Sequence, residues 1–198
     1  MMNKKMERKI DLKAFKIFTR AISTYEDLPL LFNHLTKTIT RFFNFKGCSL
    51  MLFDEREKQL FRVSSYGVSQ QYMNKGPLFA DSKCDVTKDT CSCEDCPFMK
   101  GETVFIKDVK KDPRIQYPDA TLKEGIVSIL TVPIKFRGVS TGIMRIYNSE
   151  HWELHEDDLD SFLAVADLLG LLIEYNGLRN FFETIKVGVD QLPPRLLR

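Results

Sequence analysis

The sequence predicts an α+β fold: a central antiparallel sheet of five to six strands, N- and C-terminal helices packed on one face, and loops with a short helix on the other. Three observations predict it. The stretch Gly125 to Tyr147, GIVSILTVPIKFRGVSTGIMRIY, reads as two strands, Ile126–Ile134 and Val139–Tyr147, around a tight turn at Phe136-Arg137-Gly138. The inferred order is helix, helix, strand, strand, long loop, strand, short helix, strand, strand, long helix, and its mostly local connections favour antiparallel pairing. Amphipathic stripes stand before and after the strands, and each must bury against something.

In order, the spacing predicts a helix over residues 4–22, where Ile10, Ala14, Ile17 and Ala21 recur at 4-3-4 intervals. The seam is short and packs on the domain or on a second copy. A second helix starts at a cap. Ser23 with Glu26 fits a capping box, and Asp27 is a rival that explains Pro29 in the first turn. Leu28, Leu31, Phe32, Leu35, Ile39 and Phe42 form its apolar face, and it ends by Asn44 to Gly47. Cys48 to Phe53 is apolar on both faces and reads as a central strand; Leu60 to Tyr66 alternates partly and reads as its neighbour. Residues 75–101 show no period, and such long segments within a compact domain often serve as lids. Thr103 to Ile106 is a short strand. Pro118 to Glu124 is a short helix with Gly125 just past its end. From Glu156 a long helix carries Leu159, Phe162, Leu163, Ala166, Leu169, Leu172 and Ile173, with a kink expected at Gly177; Phe181, Phe182, Ile185 and Val189 prolong the stripe.

The chain has 198 residues with 43% hydrophobic content, enough for one sizeable core. Its net charge of +2 gives no argument for nucleic acid. Residues 1–20 hold seven basic and two acidic side chains, interleaved with the apolar stripe as on a solvated helix face. They contain no apolar core of a secretory signal, and no run approaches the length of a membrane span, so the expected location is the cytoplasm.

Cys84, Cys91, Cys93 and Cys96 form one cluster of thiols. Four thiolates there can close a zinc site or hold an iron–sulfur cluster, and Cys93-x2-Cys96 has the usual ligand spacing, whereas Cys84 and Cys91 do not. A reversible disulfide or thiol switch, and no function at all, stay open beside the metal. Cys48, in a central strand, reads as an inert core residue. His34, His151 and His155 are not spaced with a cysteine and receive no role. Nucleophile elbow, phosphate loop and H-E-x-x-H helix are all missing, so a binding rather than catalytic role is expected.

Asp112-Pro113-Arg114, Tyr117-Pro118, the run Gly125 to Ile134, Gly138, Gly142 to Tyr147 and then Asp158-Leu159-Asp160-Ser161-Phe162-Leu163 together resemble a GAF domain, a small-ligand sensor module of signalling proteins. The resemblance covers roughly residues 25–176, leaving 1–24 as an N-terminal helix and 177–198 as a C-terminal helical extension. It implies a six-stranded sheet, the sixth strand lying between Leu78 and Cys84. It also implies a pocket on the sheet face beneath the loops, for which Tyr66, Phe79, Ile115, Tyr117, Ser128, Arg145 and Tyr147 are the candidates. Arg145 holds an anionic ligand if it faces that pocket, and forms a partly buried ion pair if it faces the helices. The resemblance further implies a homodimer through the terminal helices and an output through a signalling partner. Free methionine sulfoxide reductases are GAF-like enzymes that use cysteines as nucleophile and resolver. Residues 115–128 contain no cysteine, so that alternative rests on the thiol loop alone.

Overall fold

Apolar runs of period two become the strands of one sheet, and the stripes at either end become the helices that cover it. The computed structural model describes residues 12–25, 27–76, 78–79 and 96–190. The elements are α1 (Leu12–Thr24), α2 (Leu28–Phe42), β1 (Gly47–Asp54), β2 (Gln59–Tyr66), α3 (Gln70–Met73), β3 (Leu78–Phe79), β4 (Val104–Ile106), α4 (Pro118–Lys123), β5 (Ser128–Phe136), β6 (Val139–Asn148) and α5 (Glu156–Asp190). The strands order as β3-β2-β1-β6-β5-β4, and every neighbouring pair is antiparallel. The expected sixth strand is β3, two residues long, on the edge beside β2.

Local chemistry sets the element ends. Asp27 caps α2, its Oδ1 accepting from Leu30 N at 2.9 Å, whereas Ser23 lies inside α1 with its hydroxyl donating to the Arg20 carbonyl. The short helix α4 closes with Gly125 N donating to Leu122 O and Ile126 N to Thr121 O, a Schellman arrangement that requires the positive φ of Gly125. The hairpin β5–β6 turns through Arg137 and Gly138, whose φ values of 49° and 82° match a two-residue type I′ turn. Gly177 does not interrupt α5, which runs unbroken to Asp190.

Two extra residues decide which side chains reach which face. In β2, Leu50 pairs with Ser64 while Met51 pairs with Arg62, so Val63 is extra; in β6, Ile134 pairs with Gly142 while Lys135 pairs with Ser140, so Thr141 is extra. Such bulges reverse the alternation beyond them.

The main core lies between the sheet and α1, α2 and α5. Leu35 and Ile39 of α2 meet Leu50, Leu130, Val132, Met144 and Ile146 of the sheet and Phe162, Val165 and Leu169 of α5, all fully buried. Burial of each such side chain stabilises by about 1.5–3 kcal/mol. A Cβ on Gly170 would run into the Lys135 carbonyl oxygen, so α5 lies directly on the β5 backbone. By length and composition alone, Glu156–Lys186 is apolar enough to cross a membrane, which corrects the expectation of no candidate span. The sequence criterion asked for an uninterrupted apolar run, which the scattered acidic residues of this helix break. In the folded domain Phe162, Val165, Ala166 and Leu169 of that segment are buried.

Candidate ligand cleft

The opposite face of the sheet is floored by Met51, Leu60, Ile129, Ile143, Arg145 and Tyr147 and roofed by α3, the segment 114–117 and α4. Ser69 caps α3, its Oγ accepting from Tyr72 N at 3.1 Å, and this short turn sets Tyr72 and Lys75 over the sheet. Tyr117 precedes Pro118 and starts α4. Between the two lies an open cleft of about 780 Å³ lined by Tyr72, Lys75, Gln116, Tyr117, Ala120 and Glu124, among others. Tyr72, Lys75, Gln116 and Tyr117 also line a small inner cavity of about 20 Å³, which reaches Arg114, Ile115 and Arg145. A third cavity of about 70 Å³ shares Arg114, Gln116 and Arg145 and extends under Phe79, Cys96 and Phe98.

The polar groups of this region are tightly placed. Arg145 Nε donates to Thr131 Oγ1 at 3.1 Å, and Arg62 Nη1 donates to the Met73 carbonyl at 2.9 Å. Lys75 Nζ lies 3.8 Å from the Tyr72 ring centroid and 5.8 Å from that of Tyr117. Burial, with Arg62 and Arg145 beside it, lowers the Lys75 pKa to about 7, and Glu124 opposes the shift. Burial, with Tyr147 beside it, pushes the Tyr72 phenol up to about 12, so it stays neutral. Tyr72 and Tyr147 meet edge to face at 5.7 Å. The Gln116 side chain accepts from Phe79 N at 3.2 Å and donates to Phe79 O at 2.9 Å, holding the edge strand to the roof.

Of the residues singled out from sequence, Phe79, Ile115, Tyr117 and Arg145 line these cavities, and Tyr147 is buried on the same face. Arg145 points away from the helices, which removes the reading of an ion pair on that side. Tyr66 and Ser128 do not belong to the cleft. The Val63 bulge sends Tyr66 to the helix face, where its hydroxyl accepts from Arg41 Nε at 2.8 Å. Ser128 shares the parity of Leu130 and Val132, and its hydroxyl donates to the Glu150 carbonyl at 2.9 Å. Cys84, Cys91 and Cys93 lie outside the described residues. Cys96 is buried with Met51, Leu60, Leu78, Phe98 and Ile143, and among the described residues no three His, Cys, Asp or Glu side chains gather as a metal site. Cys48 is fully buried, which pushes its thiol far above the ordinary range and leaves it inert.

Sequence reasoning missed Arg62, Tyr72 and Lys75. The one available signal was Ser69, an N-cap three residues before Tyr72 and six before Lys75.

Residues 27–173 match the family model described as GAF domain. No curated protein matches the chain. Among solved structures, the chain is similar to the GAF domain of a phosphoenolpyruvate-protein phosphotransferase from Coxiella burnetii, with a TM-score of 0.70 at 16% identity, over 85% of this chain and 95% of that one. It is also similar to the phycocyanobilin-bound GAF domain of a cyanobacterial phytochrome, with a TM-score of 0.65 at 13% identity, over 86% and 98%. A third similar structure is the free methionine-R-sulfoxide reductase of Neisseria meningitidis in complex with its substrate, with a TM-score of 0.63 at 14% identity, over 85% and 95%. At these identities the likeness is one of fold, which hosts both receptors and enzymes.

Proposed function

The chain belongs to the GAF domain family of small-ligand sensory modules, and we propose that it is a cytoplasmic receptor whose ligand sits between the sheet and α3–α4. The observation that carries this reading is that the 780 Å³ cleft and the inner cavity lie against each other, sharing Tyr72, Lys75, Gln116 and Tyr117 as lining. A concave site with an aromatic lining and a few convergent polar groups is what small-molecule recognition uses. The test is a thermal-shift screen of nucleotides, amino acids, organic acids and sugar phosphates, repeated on Ala120→Trp, which fills the cleft. The reading expects a stabilising compound whose effect is lost in the variant. No stabilising compound, or an effect that the variant keeps, would sink it.

The output of this receptor is a homodimer through α5 that presents its terminal helices to a signalling partner. Leu171, Tyr175, Leu178, Phe182 and Ile185 are between 45% and 65% exposed on one helix. Their 4-3-4-3 spacing is that of a two-stranded coiled-coil seam. Glu174 and Arg179 flank that seam five residues apart, so in a parallel pair Glu174 of each helix meets Arg179 of the other.

A second reading attaches to Cys96, which shares the 70 Å³ cavity with Arg145. A zinc ion, an iron–sulfur cluster or a disulfide at the cysteines would then act on the same site, and so would the chemistry of a thiol reductase. Zinc and iron analysis of anaerobically purified protein, with thiol counting before and after oxidation, tests it. Neither metal, and a thiol count that oxidation does not change, would remove this reading.

A further inference from the structure

Positive charge gathers at the inner cavity, lined by Lys75 and Arg145, and beside it at Arg62. Arg62 on β2, Lys75 after α3 and Arg145 on β6 are all half-buried and close enough for both arginines to act on the Lys75 amine. The acid that opposes them, Glu124, is engaged elsewhere. Its Oε1 accepts from Ser69 N at 2.9 Å and lies 3.7 Å from Lys46 Nζ, while its other oxygen accepts from the Ser69 hydroxyl. Arg114, the remaining cation of the inner cavity, is neutralised by Asp112 through contacts of 2.9 Å and 2.6 Å. Outside the cleft, Arg62 Nε, on the wall of a neighbouring hollow, and the Tyr147 hydroxyl, in the packing beneath Tyr72, have no hydrogen-bond partner among the described residues. Half-buried like charges and unfulfilled buried donors each cost stability. Lys75 and Arg145 both line the inner cavity, and their convergence there points to a ligand that supplies acceptors.

We propose that the ligand is a compact organic oxyanion, with a carboxylate or phosphate head held by Arg145 and Lys75 and reinforced by the field of Arg62. This rests on the reading of the cleft as the ligand site and names the chemical class of its occupant. The head seats at the inner cavity between Lys75 and Arg145, both of which line it. The body lies in the outer cleft against Tyr72 and Tyr117, which line both spaces. The planar fork of Arg145, already oriented by Thr131, presents its remaining N–H groups to two oxygens of one head.

The experiment is calorimetric titration of the full chain at constant ionic strength with succinate and glycerol 3-phosphate, and with their neutral counterparts succinamide and glycerol. The expected result is saturable binding of at least one anion, with its neutral counterpart weaker by at least about tenfold. Whichever anion binds distinguishes a carboxylate head from a phosphate head. Arg145→Met weakens that binding by at least about tenfold and Arg145→Lys by less. Lys75→Met, at the cleft wall, carries the same test if Arg145→Met does not fold. A neutral counterpart that binds as tightly as its anion overturns the anionic class and leaves the receptor reading standing. Absence of binding by both anions up to about 10 mM, beyond the millimolar limit of a weak specific site, also overturns it. The thermal-shift screen then decides separately whether the cleft binds any small molecule.

Discussion

Arg145 and Thr131 face each other directly across β6 and β5, and Arg145 Nε donates to the Thr131 hydroxyl at 3.1 Å. The bond holds the guanidinium on the cleft side of the sheet, opposite the side taken by Met144 and Ile146. Thr131→Val keeps the volume and removes the acceptor. A hydrogen bond to a charged group is worth about 1.5–3 kcal/mol, so anion affinity should fall by about tenfold or more while the fold is kept. Titration alongside circular dichroism measures both, and an unchanged affinity would show that Thr131 does not orient the guanidinium.

Lys75 gives the cleft a pH signature. Around it stand Arg62 from β2, Arg145 from β6, Tyr72 from α3, Tyr117 before α4 and Glu124 at the end of α4. Its folded pKa, about 7, lies below the ordinary lysine value of 10.5. Below pH 7 both folded and unfolded chains hold the proton, and the full penalty of the half-buried charge is present. Between pH 7 and 10.5 the unfolded chain holds more protons, so this group makes stability rise with pH across that window. Lys75→Met should remove that rise, as read from chemical denaturation at a series of pH values. An anion bound beside the amine should raise its pKa, so binding at pH 8 takes up a proton. Titration in buffers of different ionisation enthalpy shows this directly, and a heat independent of buffer would contradict it.

Tyr66 and Tyr147 show how far the sequence reaches. The strands, α5 and the cap at Asp27 were legible because period-two runs, helical stripes and an acid before Pro29 are local signals. Arg145 and Tyr147 were readable as a same-face pair, since nothing interrupts β6 between them. Tyr66 was not, because one extra residue, Val63, reverses β2 and leaves no mark in composition. Lys75 was not legible either, since its setting depends on side chains from α3, β2 and β6 that meet only in the fold. From its place on the helix face, Tyr66→Phe should leave ligand binding unchanged. It should lower stability by no more than about 1.5–3 kcal/mol, the worth of a hydrogen bond to a charged group, which exposure here reduces. A loss of binding in that variant would put Tyr66 back in the cleft.

Gly170 sits where α5 meets the Lys135 carbonyl. Its added methyl would face backbone rather than a flexible side chain, so α5 must shift to admit it. Overpacking of this kind costs about 1–3 kcal/mol. Gly177, with nothing within 4 Å of an added Cβ, is the control. Alanine there should stabilise by up to about 1 kcal/mol, the helix-propensity difference. Urea unfolding of the two variants should give opposite signs, and equal effects would mean that α5 does not press on β5 as described.

The last turns of α5 test the output. Leu178 and Phe182 are 49% and 65% exposed, and both lie on the 4-3-4-3 seam. Leu178→Asp with Phe182→Asp should convert a dimer at micromolar concentration into a monomer in light scattering, because two charges would be buried unpaired in the seam. The flanking pair gives a finer test. Glu174→Arg alone places like charges opposite one another in a parallel pair and should weaken the dimer. Adding Arg179→Glu restores opposite signs and should recover it. Each surface pair contributes about 0.2–1 kcal/mol and occurs twice by symmetry, so Glu174→Arg alone should raise the dimer dissociation constant by roughly twofold to thirtyfold and the double variant should return it. A weakened single variant that the double variant does not rescue excludes the parallel register. A wild-type chain that stays monomeric excludes the seam altogether.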